Sequence, residues 1–215
     1  MPNSSPRNTL WQAAHAERAA LAEDLATIDD AQWALPSLCN RWTIEDVTAH
    51  LTAAASIGPL RWIASAVGAR FDFDLHNDRR LAEHRCPTPA QTLSRFRAVV
   101  GSSTSPLGPV EAWLGEVVVH SEDIRRPLGI VREVPMAALL PVAAFFARRN
   151  FTITSRSVVK GLRLEATDSA FVADDGGRPV FGTTLALTMA MAGRGTYCDE
   201  LAGPGVETIR ARCMP

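Results

Sequence analysis

A chain of 215 residues, 47% of them apolar, is long enough for one large domain or for a domain with a small companion, and it can bury a proper hydrophobic core. Its 22 basic and 23 acidic side chains nearly cancel, on both sides of Asn150, and no basic face stands out, which disfavours nucleic-acid binding through clustered cations on phosphates. Cys39, Cys86, Cys198 and Cys213 show no CxxC pairing, no apolar run is long enough for a bilayer, and Pro2 to Arg7 is polar, so a soluble, reduced, cytoplasmic protein without membrane partners is expected.

Leu10, Trp11, Ala14, Leu21, Leu25 and Ile28 recur at intervals of three and four and predict a first long helix over 9–28. The stretch 29–42, with Pro36, Ser37 and Asn40, reads as a connection. Thr43 stands as an N-cap with Asp46 three residues on, which predicts a capping box opening a second helix. That helix carries Val47, His50, Leu51 and Ala54 on one side and is kinked or ended by Gly58-Pro59, so His50 is directed toward the core. The charged stretch 70–85, containing Asp74, His76 and Asn77, reads as a loop or short irregular helix that covers a site. Thr88-Pro89-Ala90-Gln91 predicts the start of a third helix through Val100. Pro109 opens a fourth, with Trp113, Val117, His120 and Ile124 at helical spacing, and Pro135 a fifth through Phe146.

Beyond Asn150 the pattern changes, which places a boundary between a helical unit, 1–150, and a small α+β unit, 151–215. Leu162, Leu164 and Ala166 alternate with polar neighbours, Phe171-Val172 follows, and Asp174-Asp175-Gly176-Gly177 signals a hairpin turn before Pro179 to Phe181, together predicting a small antiparallel sheet. A helix over 183–192, a glycine-punctuated stretch 193–205 and a last helix 206–212 complete the chain.

On the fourth helix Glu116 and His120 lie one turn apart on a shared face, with Asp123 following. A carboxylate and an imidazole at this spacing can chelate a divalent metal, and a core-directed His50 is the obvious third ligand of a His₂Glu set with an open position. The same residues also fit a buried, hydrogen-bonded His50 beside a helix-surface Glu116/His120 pair. HExxH, GxGxxG, GxSxG and Walker patterns are absent, and His15, His76 and His84 have no partner at chelating spacing.

Two stretches carry a family resemblance. Residues 38–51, Leu-Cys-Asn-Arg-Trp-Thr-Ile-Glu-Asp-Val-Thr-Ala-His-Leu, and residues 113–129, beginning Trp-Leu-Gly-Glu and including His120-Ser-Glu-Asp123, resemble the signatures of mycothiol-dependent maleylpyruvate isomerases, a branch of the DinB-like superfamily. The C-terminal part, through Leu164 to Asp168 and Met191-Ala192-Gly193-Arg194, is similar to that family's sterol-carrier-like domain. The departure at Asn40-Arg41, where the family often has proline or glycine, alters a turn and no ligand; 70–85 matches no family motif, and substrate specificity is expected to be set there.

The resemblance implies an α+β protein, a DinB-like four-helix bundle followed by the sterol-carrier-like domain. It implies a divalent metal, usually zinc, on His50, Glu116 and His120, with mycothiol as thiol cofactor and Arg194 as the catalytic arginine. The implied activity is S-transfer to a small-molecule electrophile or cis–trans isomerisation of a maleylpyruvate-like substrate. Metal coordination would deprotonate a thiol, and Arg194 would hold a carboxylate or a developing enolate. Asp123 is either the acceptor that fixes a ligand imidazole's tautomer or an exposed partner of Arg126. A thiol-independent metal hydrolase and a non-enzymatic binder of apolar molecules are the competing readings. A monomer is the favoured oligomeric state.

Overall fold

The computed structural model describes residues 5–39, 42–68, 70 and 73–213. Backbone contacts divide it into two compact units, Met1–Arg132 and Glu133–Pro215, so the helix after Pro135 groups with the C-terminal unit and not with the first 150 residues.

The N-terminal unit contains α1 (Pro6–Leu25), a single turn α2 (Asp30–Trp33), α3 (Ile44–Ser56), α4 (Pro59–Gly68), α5 (Phe73–His84), α6 (Pro89–Ala98) and α7 (Val110–Arg125). Local chemistry sets the helix starts. Ser5 accepts from the Asn8 N–H ahead of Pro6 on α1, and Thr88 accepts from the Gln91 N–H ahead of Pro89 on α6. At α3 the box is reciprocal: Thr43 Oγ1 accepts from the Asp46 N–H at 3.2 Å while Asp46 Oδ2 accepts from the Thr43 N–H at 3.0 Å.

Four long helices, α1, α3, α6 and α7, form the bundle; α1 packs on α6 and α7, and α3 on α6 and α7. Leu21, Leu25, Ile44, Leu51, Phe96, Val117 and Ile124, drawn from all four, are buried together. Gly58-Pro59 ends α3 as expected, but the chain resumes as α4. The stretch 70–85 also departs from expectation, because Phe73–His84 is a regular helix packed on α3. Its many charges hid its periodicity: Leu81 is buried, while Arg80 and Glu83 pair along the helix. The side chains of Asp74 and His76 lie outside the described residues.

α1 and α7 are joined by buried charge. Arg125, fully buried on α7, donates from Nε to Asp24 at 2.8 Å and from Nη1 to Glu17, with Glu122 at 3.4 Å. Arg132 closes on the opposite side of Asp24 at 2.7 Å. Neutralising three carboxylates at less than a tenth exposure demands this cation, since an unpaired buried charge costs several kcal/mol.

The C-terminal unit contains α8 (Met136–Arg148), α9 (Ser155–Val159), β1 (Leu162–Ala166), β2 (Val172–Asp174), β3 (Arg178–Gly182), α10 (Thr184–Met191), a 3₁₀ turn η1 (Gly195–Glu200) and α11 (Val206–Cys213). The expected antiparallel sheet is mixed: the order is β2-β1-β3, with β1 antiparallel to β2 and parallel to β3. Asp174 to Gly177 is therefore a turn but not the turn of a hairpin. Asp175 accepts from the Gly161 N–H at 2.7 Å, and the chain then passes so tightly against the start of β1 that a Cβ at Gly177 would lie 1.6 Å from the Gly161 carbonyl oxygen. This crossing, open only to glycine, delivers β3 to the far edge of β1. Asp168 accepts from the N–H and hydroxyl of Thr184, at 2.8 and 2.7 Å, and fixes the start of α10.

Replacing Arg125 with alanine removes the buried cation that Glu17, Asp24 and Glu122 share and leaves Asp24 to Arg132. Urea denaturation of Arg125→Ala should show a loss of roughly 3–5 kcal/mol; a loss below 1 kcal/mol would mean that the cluster does not hold α1 to α7.

Candidate metal centre

Three side chains converge inside the N-terminal unit. His50 extends from the second turn of α3, and Glu116 and His120 from consecutive turns of α7, which packs against α3. His50 Nε2 lies 2.9 Å from Glu116 Oε1. The His50 and His120 rings meet edge to face with centroids 5.0 Å apart, and one ligand atom from each of the three residues lies within 4.8 Å of the others. All three are half-buried.

The surroundings orient these groups. Asp123, fully buried, sits with Oδ2 2.9 Å from His120 Nδ1. With the carboxylate accepting, the ring proton resides on Nδ1, and Nε2 is the nitrogen that can face a cation. The loop before α3 is fastened to the same helix: the Leu38 N–H donates to the Asp123 carbonyl at 3.0 Å, while the Ser37 N–H and hydroxyl donate to the Trp42 carbonyl at 3.0 and 2.8 Å. That loop places the Trp42 ring 4.8 Å from His50 and 6.3 Å from His120, centroid to centroid, as an apolar cover over both imidazoles. Asn40 and Arg41, where the sequence departs from the family pattern, lie outside the described residues.

Burial pushes the Glu116 carboxyl up, but the His50 hydrogen bond and the charges of His50, His120 and Arg18 outweigh it and hold the group below the usual carboxylate range. Arg18 on α1, 3% exposed, is pushed below its usual value by burial, with Glu116 acting in the opposite direction. Its Nη1 donates to the Ser102 carbonyl at 2.8 Å, and it lines one small cleft with Trp113, Thr104 and Glu116. An ionised glutamate and two imidazoles that can each offer a lone pair form a donor set that suits a borderline divalent ion such as zinc.

A second group shares one member. Cys39, His120 and Asp123 also bring one ligand atom each within 4.8 Å, and these two groups are the ones found among the described residues. Cys39 enters through the folded loop, not through chelating spacing in the chain. Arg18 carried no assigned role in the sequence either, although its place between Ala14 and Leu21 on the apolar side of α1 is the available signal. Asp123 is fully buried, not exposed as one reading had it. Arg194 lies in the C-terminal unit, just before η1, where its Nη1 donates to the Ala192 carbonyl at 2.8 Å.

Comparison with known proteins bears on the family and the fold. Residues 14–108 match the family model of the mycothiol maleylpyruvate isomerase N-terminal domain. Two solved structures share the fold over 91% of each chain with a TM-score of 0.63: a mycothiol-dependent maleylpyruvate isomerase, at 18% identity, and a histidine-to-alanine mutant of that enzyme, at 16%. A search of curated proteins finds no match. Among the described residues no helix is long and apolar enough to cross a membrane.

In the protein stripped of metal, ¹⁵N NMR should find the neutral His120 ring protonated at Nδ1. Asp123→Ala should shift it toward the Nε2–H form; an unchanged tautomer ratio would show that Asp123 does not set it.

Proposed function

From the match of residues 14–108 to the mycothiol maleylpyruvate isomerase N-terminal domain we propose that the protein is an enzyme in which His50, Glu116 and His120 hold a divalent metal, zinc being the ion the donors suit best. Mycothiol is the proposed thiol cofactor and a small-molecule electrophile the substrate. The observation that carries this reading is the convergence of three ligand atoms from α3 and α7 within 4.8 Å, around a carboxylate held in its charged form. When bound, the metal would supply a Lewis acid that presents a thiol as thiolate at neutral pH.

The chain's own groups divide the remaining work. His50 exchanges its hydrogen bond to Glu116 for ligation, which requires Nε2 in its unprotonated form. Asp123 keeps the His120 proton on Nδ1 and so keeps Nε2 available. Trp42 covers the two imidazoles and reduces the access of water. Arg18 adds positive charge beside Glu116, which favours an anionic ligand at the centre. Arg194 is proposed to hold a carboxylate of the electrophile or to stabilise negative charge developing on it, by charge-assisted hydrogen bonds. Thiol transfer and cis–trans isomerisation of a maleylpyruvate-like compound both call on this set. They differ in whether the thiol stays attached to the product.

Elemental analysis of the purified protein should find one equivalent of divalent metal, lost in His120→Ala, and mycothiol should perturb the spectrum of the cobalt-substituted protein. Turnover of an electrophile panel should require mycothiol and fall at least 100-fold in Arg194→Ala with metal content unchanged. Full metal occupancy in His120→Ala would overturn the ligand set, and thiol-independent turnover would identify a hydrolase instead.

A further inference from the structure

One buried cation of the N-terminal unit lines the cleft beside the metal centre and keeps a donor in reserve. Arg18 is 3% exposed, and its Nε has no hydrogen-bond partner among the described residues. Its Nη1 is committed to the Ser102 carbonyl at 2.8 Å, which also accepts from His15 Nε2 at 3.0 Å. Burial disfavours the charged guanidinium, and Glu116 is the anion that offsets this. Glu116 is itself engaged by His50 at 2.9 Å. A guanidinium stays protonated at physiological pH, so Arg18 is a desolvated charge with an unused N–H, a state that costs free energy until an acceptor arrives.

The cleft suits a small acceptor. Its enclosed part takes one water-sized group, and about 230 Å³ is empty with the open mouth counted. Thr104 and Ser105 line it with Arg18, and both carry hydroxyls that can donate. Their loop is fastened from two sides. The Ser102 carbonyl binds it to α1, and the Ser102 hydroxyl donates to the Ala55 carbonyl of α3 at 2.8 Å while accepting from the Thr104 N–H at 3.1 Å. Leu51, Trp113 and Val117, each less than a tenth exposed, form the apolar side. Such walls strengthen a charge-assisted hydrogen bond and accept a carbon stem. Glu116 lines the same cleft, so a group held by Arg18 lies next to a proposed metal ligand.

We propose that Arg18 Nε, with the hydroxyls of Thr104 and Ser105, is the subsite for a carboxylate group on the small-molecule ligand of the metal centre. The inference rests on the proposed metal-dependent function and deepens it, because it gives that ligand an acidic group on a short apolar stem. Charge at the centre favours the contact. A divalent ion draws on the Glu116 carboxylate, which leaves Arg18 less neutralised and increases its attraction for a second anion. One carboxylate oxygen matches the enclosed space in size, and the other reaches the hydroxyls at the side of the cleft. The assignment does not involve Arg194.

Sodium acetate is titrated into the full-length protein, zinc-loaded and metal-free, at constant ionic strength, while ¹⁵N NMR follows the arginine Nε–H groups and the backbone amides. The Arg18 Nε–H is assigned by its loss in Arg18→Lys. The expected result is a saturable downfield proton shift of that resonance in the millimolar range, with shifts at the Thr104 and Ser105 amides, which sodium chloride and acetamide do not reproduce. Arg18→Lys should weaken acetate, read at those two amides, by about tenfold or more, the worth of one hydrogen bond to a charged group. Thr104→Val with Ser105→Ala leaves the buried arginine in place and should weaken acetate roughly fivefold, read at the Arg18 Nε–H. An Arg18 resonance unmoved by acetate in both forms overturns the proposal, as does a shift that chloride or acetamide reproduces, or an acetate affinity unchanged in both variants. Zinc uptake without an acetate response at Arg18 defeats this inference and leaves the ligand set standing. An acetate response in a protein that takes up no zinc defeats the ligand set and leaves the carboxylate subsite standing.

Discussion

A carboxylate placed on α7 between two helices survives as an anion only if the fold surrounds it with donors and positive charge, and Glu116 imposes that demand on the N-terminal unit. α3 answers with His50, the next turn of α7 with His120, and α1 with Arg18. The packing of three helices is thus coupled to one side chain's ionisation. The Arg125 cluster, two turns further along α7, repeats the logic with the signs exchanged: a buried guanidinium gathers Glu17, Asp24 and Glu122. Together the two clusters fix the axial position of α7 against α1, so the registers of Glu116 and His120 are set by charge as well as by apolar packing.

Much of this architecture was written locally. Thr43 with Asp46, Thr88 with Pro89, and Pro109 each stand at a helix start because capping is decided by neighbours within one turn. The one-turn spacing of Glu116 and His120 was readable for the same reason. What escaped was tertiary. The Asp174 to Gly177 stretch has the composition of a hairpin, yet the strand it leads to pairs on the other edge of β1, because the close passage at Gly161 belongs to no local pattern. The helix Phe73–His84 reads as irregular because few of its described side chains are buried and its charges are many. Cys39 and Arg18 reach the centre only through the folded loop and the helix packing.

The C-terminal unit presents a different balance. Its sheet has three strands, and α10, almost wholly buried, supplies much of its core through Leu187, Met189 and Met191. Gly193, at φ +84°, turns the chain out of α10 into η1, so Arg194 follows directly on a left-handed residue that other side chains rarely occupy. The position of that arginine is therefore governed by backbone conformation as much as by its bond to Ala192.

The fastening of the Trp42 loop to α7 runs through the main chain at Leu38, from an amide to the Asp123 carbonyl. An amide is common to nineteen of the twenty coded amino acids, so the clasp is indifferent to which of them evolution installs at that site. Proline alone lacks the hydrogen and would open it. A lineage could thus recolour the rim of the centre freely, exchanging size or polarity at residue 38, while the aromatic cover stayed moored in place.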